Sequence, residues 1–584
     1  MIQQLKKLVF FVFIITAIAC ERDDTIIDPE VISPTIDTPS LEGFSDNFGA
    51  EITRSFIGTI INSNRQPIDG VQITIGSSAT TTDSNGVFIL NDVTVNERFA
   101  YVKTFKNGYI HGSRSLVPTE GINKVTIMLL EETIAGTTSS GTSETISLSN
   151  GASVTLNGDY VKEDGSPYQG TVDVILHHLD PTNPEVNEQM PGMLYAANAN
   201  GEERLLQTLG MLAVELRGAN GEDLNLADGT SAEIRVPVDA SLLSTAPSTI
   251  PLWYFDEDGG YWIEDGEATL IGSEYVGTVT HFSFWNCDIP AESVILCVYL
   301  TTETAEPISN ILLEVTSQNF GTQNGVTNSL GVACGFVPSN EALLLSGQFY
   351  CSGELISFSE NIPPLTENTT INITPTYNNV ETVTGTFTTC NGDPITNGYV
   401  LLTYDDETYI DAVTDGTYTI SFISCENEAM FTIEAIDSNA MQTSGEINYT
   451  TTSPVTNLAN IISCNDITEF ITYQIDNNPP ILHASNVTYE VSLFNILVNA
   501  SSQNGSIAFI LDSSVTVNTP IEQIILNDIN GDEINQNDPI NITYTITAFG
   551  GVGEYIDANF SGIYLDEQNV THTIDGAVHM IRDF

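Results

Sequence analysis

The sequence predicts an almost entirely β-structured chain of tandem β-sandwich modules, on three observations. Val, Ile and Thr are abundant and are interrupted by many of the 44 glycines, the composition of short strands joined by tight turns. Past residue 52 no long apolar pattern of period 3.6 marks an amphipathic helix. One strand–turn–strand pattern recurs four times. At 584 residues the chain has room for about four or five domains.

A targeting segment precedes that body. Lys6-Lys7 is followed by an apolar run from Leu8 to Ala19, shorter than the ~20 residues of a spanning helix and of signal-peptide length. It ends in Ala17-Ile18-Ala19-Cys20. Small residues leading into a cysteine resemble a bacterial lipoprotein signal. The resemblance implies a signal peptide over 1–19, acylation of Cys20 and an outer-membrane lipid anchor. Each buried CH₂ of an acyl chain contributes about 0.8 kcal/mol, so several chains hold firmly. Glu21, Arg22, Asp23 and Asp24 resemble the export signal that sends lipoproteins to the outer face in some Gram-negative groups; the alternative is a solvated tether on the periplasmic side. Residues 20–52, rich in Asp, Pro, Ser and Thr, read as a flexible linker.

Fifteen basic residues against seventy-six acidic ones give a formal charge of −61. That excludes nucleic acid as a partner, disfavours docking on anionic lipid without divalent cations, and leaves room for Ca²⁺. No other cofactor is required. Apart from Cys20, the cysteines are Cys287, Cys297, Cys334, Cys351, Cys390, Cys425 and Cys464. Export makes disulfides expected, and an odd number leaves at least one thiol free or paired between chains.

The repeat sets the domain order. Its copies open at Gly58-Thr59-Ile60, Gly158-Asp159-Tyr160, Val298 and Gly385-Thr386-Phe387, and resume nine residues after the first position at Pro67, Pro167, Pro307 and Pro394. The proline opens a second strand at an edge-tolerant position. Copies one, three and four continue through Asp83-Ser84-Asn85-Gly86, Asn328-Ser329-Leu330-Gly331 and Asp415-Gly416, then strands from Ala100, Ala342 and Ala429, then strands from Asn123, Asn368 and Asn457. The modules are expected at 53–132, 133–290, 291–377, 378–475 and 476–584, strung as a rod.

The first, with Gly58, Pro67, Ile68, Gly70, Val71, Thr82 to Phe88 and Lys106-Asn107-Gly108-Tyr109, resembles the carboxypeptidase regulatory-like domain. The resemblance implies a seven-stranded transthyretin-like or carbohydrate-binding-like sandwich, non-catalytic in that family; the third and fourth modules are assigned to the same fold, in a chain of Ig-like or transthyretin-like sandwiches. Residues 136–290, from Glu188-Gln189-Met190-Pro191-Gly192 to His281-Phe282-Ser283-Phe284-Trp285, are similar to a region of secreted bacterial lipoproteins and to extracellular matrix proteins of the cartilage intermediate layer type. No catalytic residue transfers with either resemblance.

Candidate sites have a structural reading beside the chemical one. Trp253 and Trp262 flank the turn Asp256 to Gly260; with Tyr254 they offer flat rings to stack on sugar, or they pack the core with Trp285. His281 shares a strand face with Ser283 but lacks an orienting carboxylate. His177-His178 point to opposite faces. A two-residue turn at Asp575-Gly576 sets His572 opposite His579, a pair able to hold a metal or simply to stand in solvent. Asp528 and Asp532, and separately Asp256-Glu257-Asp258, offer oxygens for Ca²⁺ or form ordinary acidic turns.

These features point to a non-catalytic surface lipoprotein for adhesion, binding or scaffolding, with polysaccharide or a surface protein as partner. An accessory of a surface nutrient-uptake complex and a hydrolase with β accessories remain as alternatives. Metabolic labelling with a fatty acid tests the anchor: the chain takes up label, and Cys20→Ser abolishes uptake.

Overall fold

The structure, a computed structural model, describes residues 43–351, 354–375, 380–405, 407–425, 428–452, 454–466 and 470–476, and beyond these the strands between 481 and 581. The signal, Cys20 and most of the linker lie outside the described residues. The end of the linker does not: residues 44–48 form a 3-10 helix whose Phe44 and Phe48 are buried. Phe48 stacks on Phe99 at 4.1 Å and Phe44 packs on Tyr261 at 4.5 Å. Two aromatic rings one turn apart bring this segment into the body.

The described chain is nearly all β. In the first module Glu51–Ile61 lies between Val87–Asn96 and Ile122–Met128, and a second sheet runs Ser78–Thr81, Gln72–Ile75, Ala100–Phe105, Gly112–Leu116. Phe56, Ile60, Ile73, Val102 and Ile127 fill the space between them. The third module repeats this order around Ser293–Leu300, and the fourth around Val380–Thr389. In all three the closing strand runs parallel to the opening one, pairing Ser55 with Ile122, Leu296 with Thr369, and Thr382 with Val455.

The recurring prolines explain this likeness. Pro67, Pro167, Pro307 and Pro394 each form an isolated bridge to the end of the opening strand. The next residue donates back across the turn: Ile68 N–H to Ile60 at 3.0 Å, Tyr168 to Tyr160 at 2.9 Å, Ile308 to Leu300 at 2.9 Å and Ile395 to Phe387 at 3.1 Å. Proline lacks an N–H, so it fits where its neighbour, not it, makes the bond. The later turn is also shared. The carbonyls of Gly86, Gly331 and Gly416 accept from Ile60, Leu300 and Phe387, each at 2.8 Å.

The second region differs. Its strands form one 13-stranded sheet, and its central strand Glu203–Gly218 has a run of six buried residues. A run without alternation is the signature of a strand covered on both faces. The C-terminal sheet includes Phe470–Ile475, which pairs with Thr571–Ile581, so this module begins before the expected 476.

The modules do not form a rod. The first one touches three others. Ile57 and Val87 share a buried apolar patch with Tyr399, Ala412 and Ile436 of the fourth. Thr119 and the Glu120 carbonyl accept from Asn328 of the third at 3.0 and 2.6 Å. Ser115 Oγ donates to the Gly260 carbonyl of the second at 2.6 Å.

Cysteines follow the modules. Cys297 and Cys334 face each other on paired strands and are joined, and Cys390 is joined to Cys464. Cys425 is also disulfide-bonded. Cys287 is a free, buried thiol.

The repeated turn makes a direct prediction. Gly86 sits at φ +68°, and a Cβ there would lie 2.5 Å from the Ile60 carbonyl oxygen. Gly86→Ala is expected to destabilise the first module by about 2–4 kcal/mol. Gly108→Ala, at φ +82° with nothing within 4 Å, should cost about 1 kcal/mol. Urea denaturation compares the two.

Candidate functional site

The tryptophans are core residues. Trp253 and Trp262 have no exposed surface and Trp285 is 1% exposed. They lie on Thr249–Asp256, Tyr261–Ile271 and Phe284–Ala291, neighbouring strands inside the 13-stranded sheet. Trp253 Nε1 donates to the Asp288 carbonyl at 3.2 Å and Trp285 Nε1 to that of His281 at 3.0 Å. Tyr254 is 5% exposed, its ring 4.6 Å from His281. The expected hairpin forms, pairing Asp256 with Tyr261. Stacking on sugar needs a free ring face, and these have none; the run Leu252-Trp253-Tyr254-Phe255 is apolar because both faces of its strand are covered.

The histidines do not assemble a site. His281 lies in a bend before its expected strand, and burial pushes its pKa down to about 4. Ser283 Oγ donates to the Phe284 carbonyl at 3.1 Å. His177 Nε2 lies 2.8 Å from the Glu131 carbonyl, whereas His178 Nδ1 lies 2.9 Å from Asn150 Nδ2. His572 and His579 correct the expected metal pair: Thr571–Ile581 is one unbroken strand, with His572 opposite Tyr564 and His579 opposite Asp557. Seven positions apart, they sit on opposite faces and about 23 Å apart. His572 Nδ1 contacts the Asp476 carboxylate.

Among the acidic candidates, Asp528–Ile529 pairs with Asp532–Glu533 as a two-stranded ribbon, Asp528 opposite Glu533 and Ile529 opposite Asp532. The turn at Asp256 to Asp258 has partners in the first module. Glu257 receives a hydrogen bond from Tyr101 Oη on its carbonyl at 2.8 Å, and its carboxylate lies 3.1 Å from His111 Nδ1. Lys103 Nζ is 3.7 Å from Asp258. The carboxylates of Glu257 and Asp258 are thus answered by protein cations. Burial lowers the His111 pKa, but the hydrogen bond and charge of Glu257, with Glu215 behind, outweigh it and hold the imidazole at about 9.

The sequence reading missed this junction. Arg65 pairs with Glu188 at 2.8 Å, Arg98 with Glu203 at 3.0 Å, and Arg114 Nη1 donates to the Gly192 carbonyl at 3.0 Å. A cleft of about 110 Å³ opens beside it, lined in part by His111, Glu215, Arg217, Asp223, Tyr254 and Ser283. Arg217 neutralises its wall, pairing with Glu132 at 2.6 Å, Asp223 at 2.9 Å and Glu215. The missed signal is positional: seven of the fifteen Lys and Arg fall in 53–132, and none between Arg235 and Arg582.

A wider hollow, about 530 Å³, lies on the C-terminal sheet. Two cross-strand rows floor it, Thr472–Ala577–Asn559–Thr545 and Gln474–Asp575–Ser561–Thr543. Their side chains are short and mostly neutral, with one carboxylate.

No family model matches the chain. Cartilage intermediate layer protein 2 of Mus musculus is 30% identical over 110 residues, 19% of this chain and 9% of that protein. Cartilage intermediate layer protein 1 of Homo sapiens is 29% identical over 111 residues, 18% of this chain and 9% of that protein. The chain thus spans under a tenth of the relatives it matches. Among solved structures, the shaft pilin SpaA of Lactobacillus rhamnosus GG aligns over 30% of this chain and 98% of its own, at 9% identity and a TM-score of 0.16. The major pilin BcpA of Bacillus cereus aligns over 71% and 100%, at 9% identity and 0.12. Superpositions this loose carry no argument about function.

The His111–Glu257 pair predicts a pH dependence. The folded pKa is raised, so the stability it lends the first–second junction is complete below about 6.5 and is lost as pH rises through about 9. Thermal denaturation between those limits should show the decline, and His111→Gln should flatten it.

Proposed function

We propose that the chain is a non-catalytic, lipid-tethered scaffold at the cell surface that contacts a neutral extracellular polysaccharide through the C-terminal sheet. The observation that carries the contact surface is the pair of polar rows in the hollow on that sheet. Hydroxyl and amide groups on adjacent strands, at the ~4.8 Å strand spacing, present donors and acceptors to a polyhydroxylated chain lying across them. Such bonds exchange with water and yield little each, so affinity grows with the number of contacts along the polymer. The non-catalytic reading is supported by the positions of the sequence candidates: Trp253, Trp262 and His281 are enclosed, and Glu257 is bound to His111.

Co-sedimentation with neutral, acidic and basic polysaccharides tests the proposal. The chain should pellet with a neutral polymer, and the double variant Asn559→Ala, Ser561→Ala should weaken this at least about fivefold, given ~0.5–1.5 kcal/mol per bond. Binding that the variant leaves intact removes this surface from the reading. Turnover of chromogenic ester, glycoside or peptide substrates overturns it in favour of a hydrolase.

A further inference from the structure

The cleft at the junction of the first and second modules carries more acid than its cations answer. Glu215 and Arg217 share one face of the strand Glu203–Gly218. His111 enters the lining from the first module, and the bend at residues 281–283 lines another side. Asn225 pins that bend: its Oδ1 accepts from the Phe282 N–H at 2.8 Å, and its Nδ2 donates to the Phe282 carbonyl at 3.2 Å. At about 110 Å³ the cleft is below the ~300–1,000 Å³ of pockets for drug-sized ligands, so it admits a small group.

We propose that this cleft binds a primary alkylammonium ion, with Glu215, Asp256 and His281 as the groups that recognise it. The lining supplies five carboxylates, Glu215, Asp223 and the turn from Asp256 to Asp258, against two cations, Arg217 and His111. Lys103 answers Asp258 at 3.7 Å, which leaves an excess of two negative charges. Arg217 must also serve Glu132 at 2.6 Å. A partly enclosed wall of one sign focuses its field on the space it surrounds. His281 is a second and independent sign. It lines the cleft, is only 6% exposed, and its Nε2 has no hydrogen-bond partner among the described residues. A buried polar atom of this kind calls for an explanation, and a bound ligand is one.

The chemistry of these groups selects the ligand. Burial pushes the His281 pKa down to about 4, so at neutral pH the ring is uncharged and one of its nitrogens is an acceptor. Ionised carboxylates are acceptors only. A site of acceptors with excess negative charge is matched by a positive donor, and an ammonium offers three N–H groups. Burial and the neighbouring carboxylates push Glu215 and Asp256 up, the direction expected of acids short of a counter-cation. Leu224, Phe282 and the ring of Tyr254 give an aliphatic stem an apolar wall. Among the described residues no group of three or more His, Cys, Asp and Glu is placed to hold a metal ion, so an organic cation suits this lining better than a bare metal.

Titration calorimetry of the full chain with n-butylammonium chloride tests this. Sodium chloride at equal ionic strength controls for attraction of any cation to the net charge of −61, and n-butanol controls for the stem alone. The natural chain should show one saturable site for butylammonium and none for sodium or butanol. Glu215→Gln should weaken that site at least about tenfold, the loss expected when a hydrogen bond to a charged group is removed. Asp256→Asn should weaken it as well and serves if Glu215→Gln does not fold. Glu303→Gln, which removes the same charge from an exposed position in the third module, should leave it unchanged. No saturable site in the natural chain, equal binding of butanol, or a site that the cleft variants leave at full strength overturns the proposal.

Discussion

The scarcity of positive charge constrains how this molecule packs. With 76 carboxylates and 15 Lys and Arg, two module surfaces brought together tend to repel unless a cation or a neutral contact separates them. The first module carries seven basic and seven acidic residues between 53 and 132, so by formal charge it is neutral. Beyond Arg235 the chain has 44 acidic residues before the next Arg. The neutral module can sit against the others where two acidic ones would repel. Arg65, Arg98, Lys103, Arg114 and Lys124 all reach out of it into a neighbouring module. Exposed pairs of this kind yield about 0–1 kcal/mol each. Their main effect is to permit contact; the apolar patch of Ile57, Val87, Tyr399, Ala412 and Ile436 supplies the attraction.

Neutral hydrogen bonds complete the joints. Asn85 Nδ2 donates to Tyr399 Oη at 2.9 Å, and that hydroxyl donates to Asp83. Burial raises the Asp83 pKa, opposed by this hydroxyl and by backbone N–H groups. Asp83 also closes the turn of its own module, accepting from the N–H groups of Asn85 and Val87 at 2.9 and 3.0 Å. One carboxylate therefore fixes a local turn and meets the fourth module. The equivalent position in the third module is Asn328, which closes its turn on Leu330 and Val332 and donates to Glu120 of the first. The repeated turn thus serves as a repeated docking edge.

Local chemistry was legible in the sequence and long-range chemistry was not. The proline bridges, the glycine turns and the hairpin at Asp256 to Tyr261 depend on residues close in the chain, so their spacing announced them. Burial of the tryptophans was legible too: the unbroken apolar run around Trp253 marks a covered strand, and core packing was the reading kept beside sugar stacking. Asp575-Gly576 misled because glycine has more than one use. Gly576 is not in a turn: a Cβ there would collide with the Thr472 carbonyl and the Phe560 ring, so the residue is small to let strands and an aromatic ring approach. The first module's central position left no local pattern, since Lys124 and its partners Asn310 and Ile410 come from three separate stretches of the chain.

Charge order along the chain also bears on how a tethered body would stand. From Cys20 to Phe44 the linker reaches at most ~80–86 Å when extended, many times the ~8 Å over which charge is felt at physiological salt. For a chain anchored at Cys20, as proposed, the module nearest the tether is the neutral one, and the stretch without Lys or Arg begins only beyond Arg235. An anionic membrane surface repels the latter within a Debye length and is indifferent to the former. Where the body comes within that length of the surface, the orientation with the first module toward the lipid and the C-terminal sheet outward is the less repelled one. The polar rows of Asn559 and Ser561 then face the extracellular medium, where a polysaccharide can reach them without crossing the headgroup field.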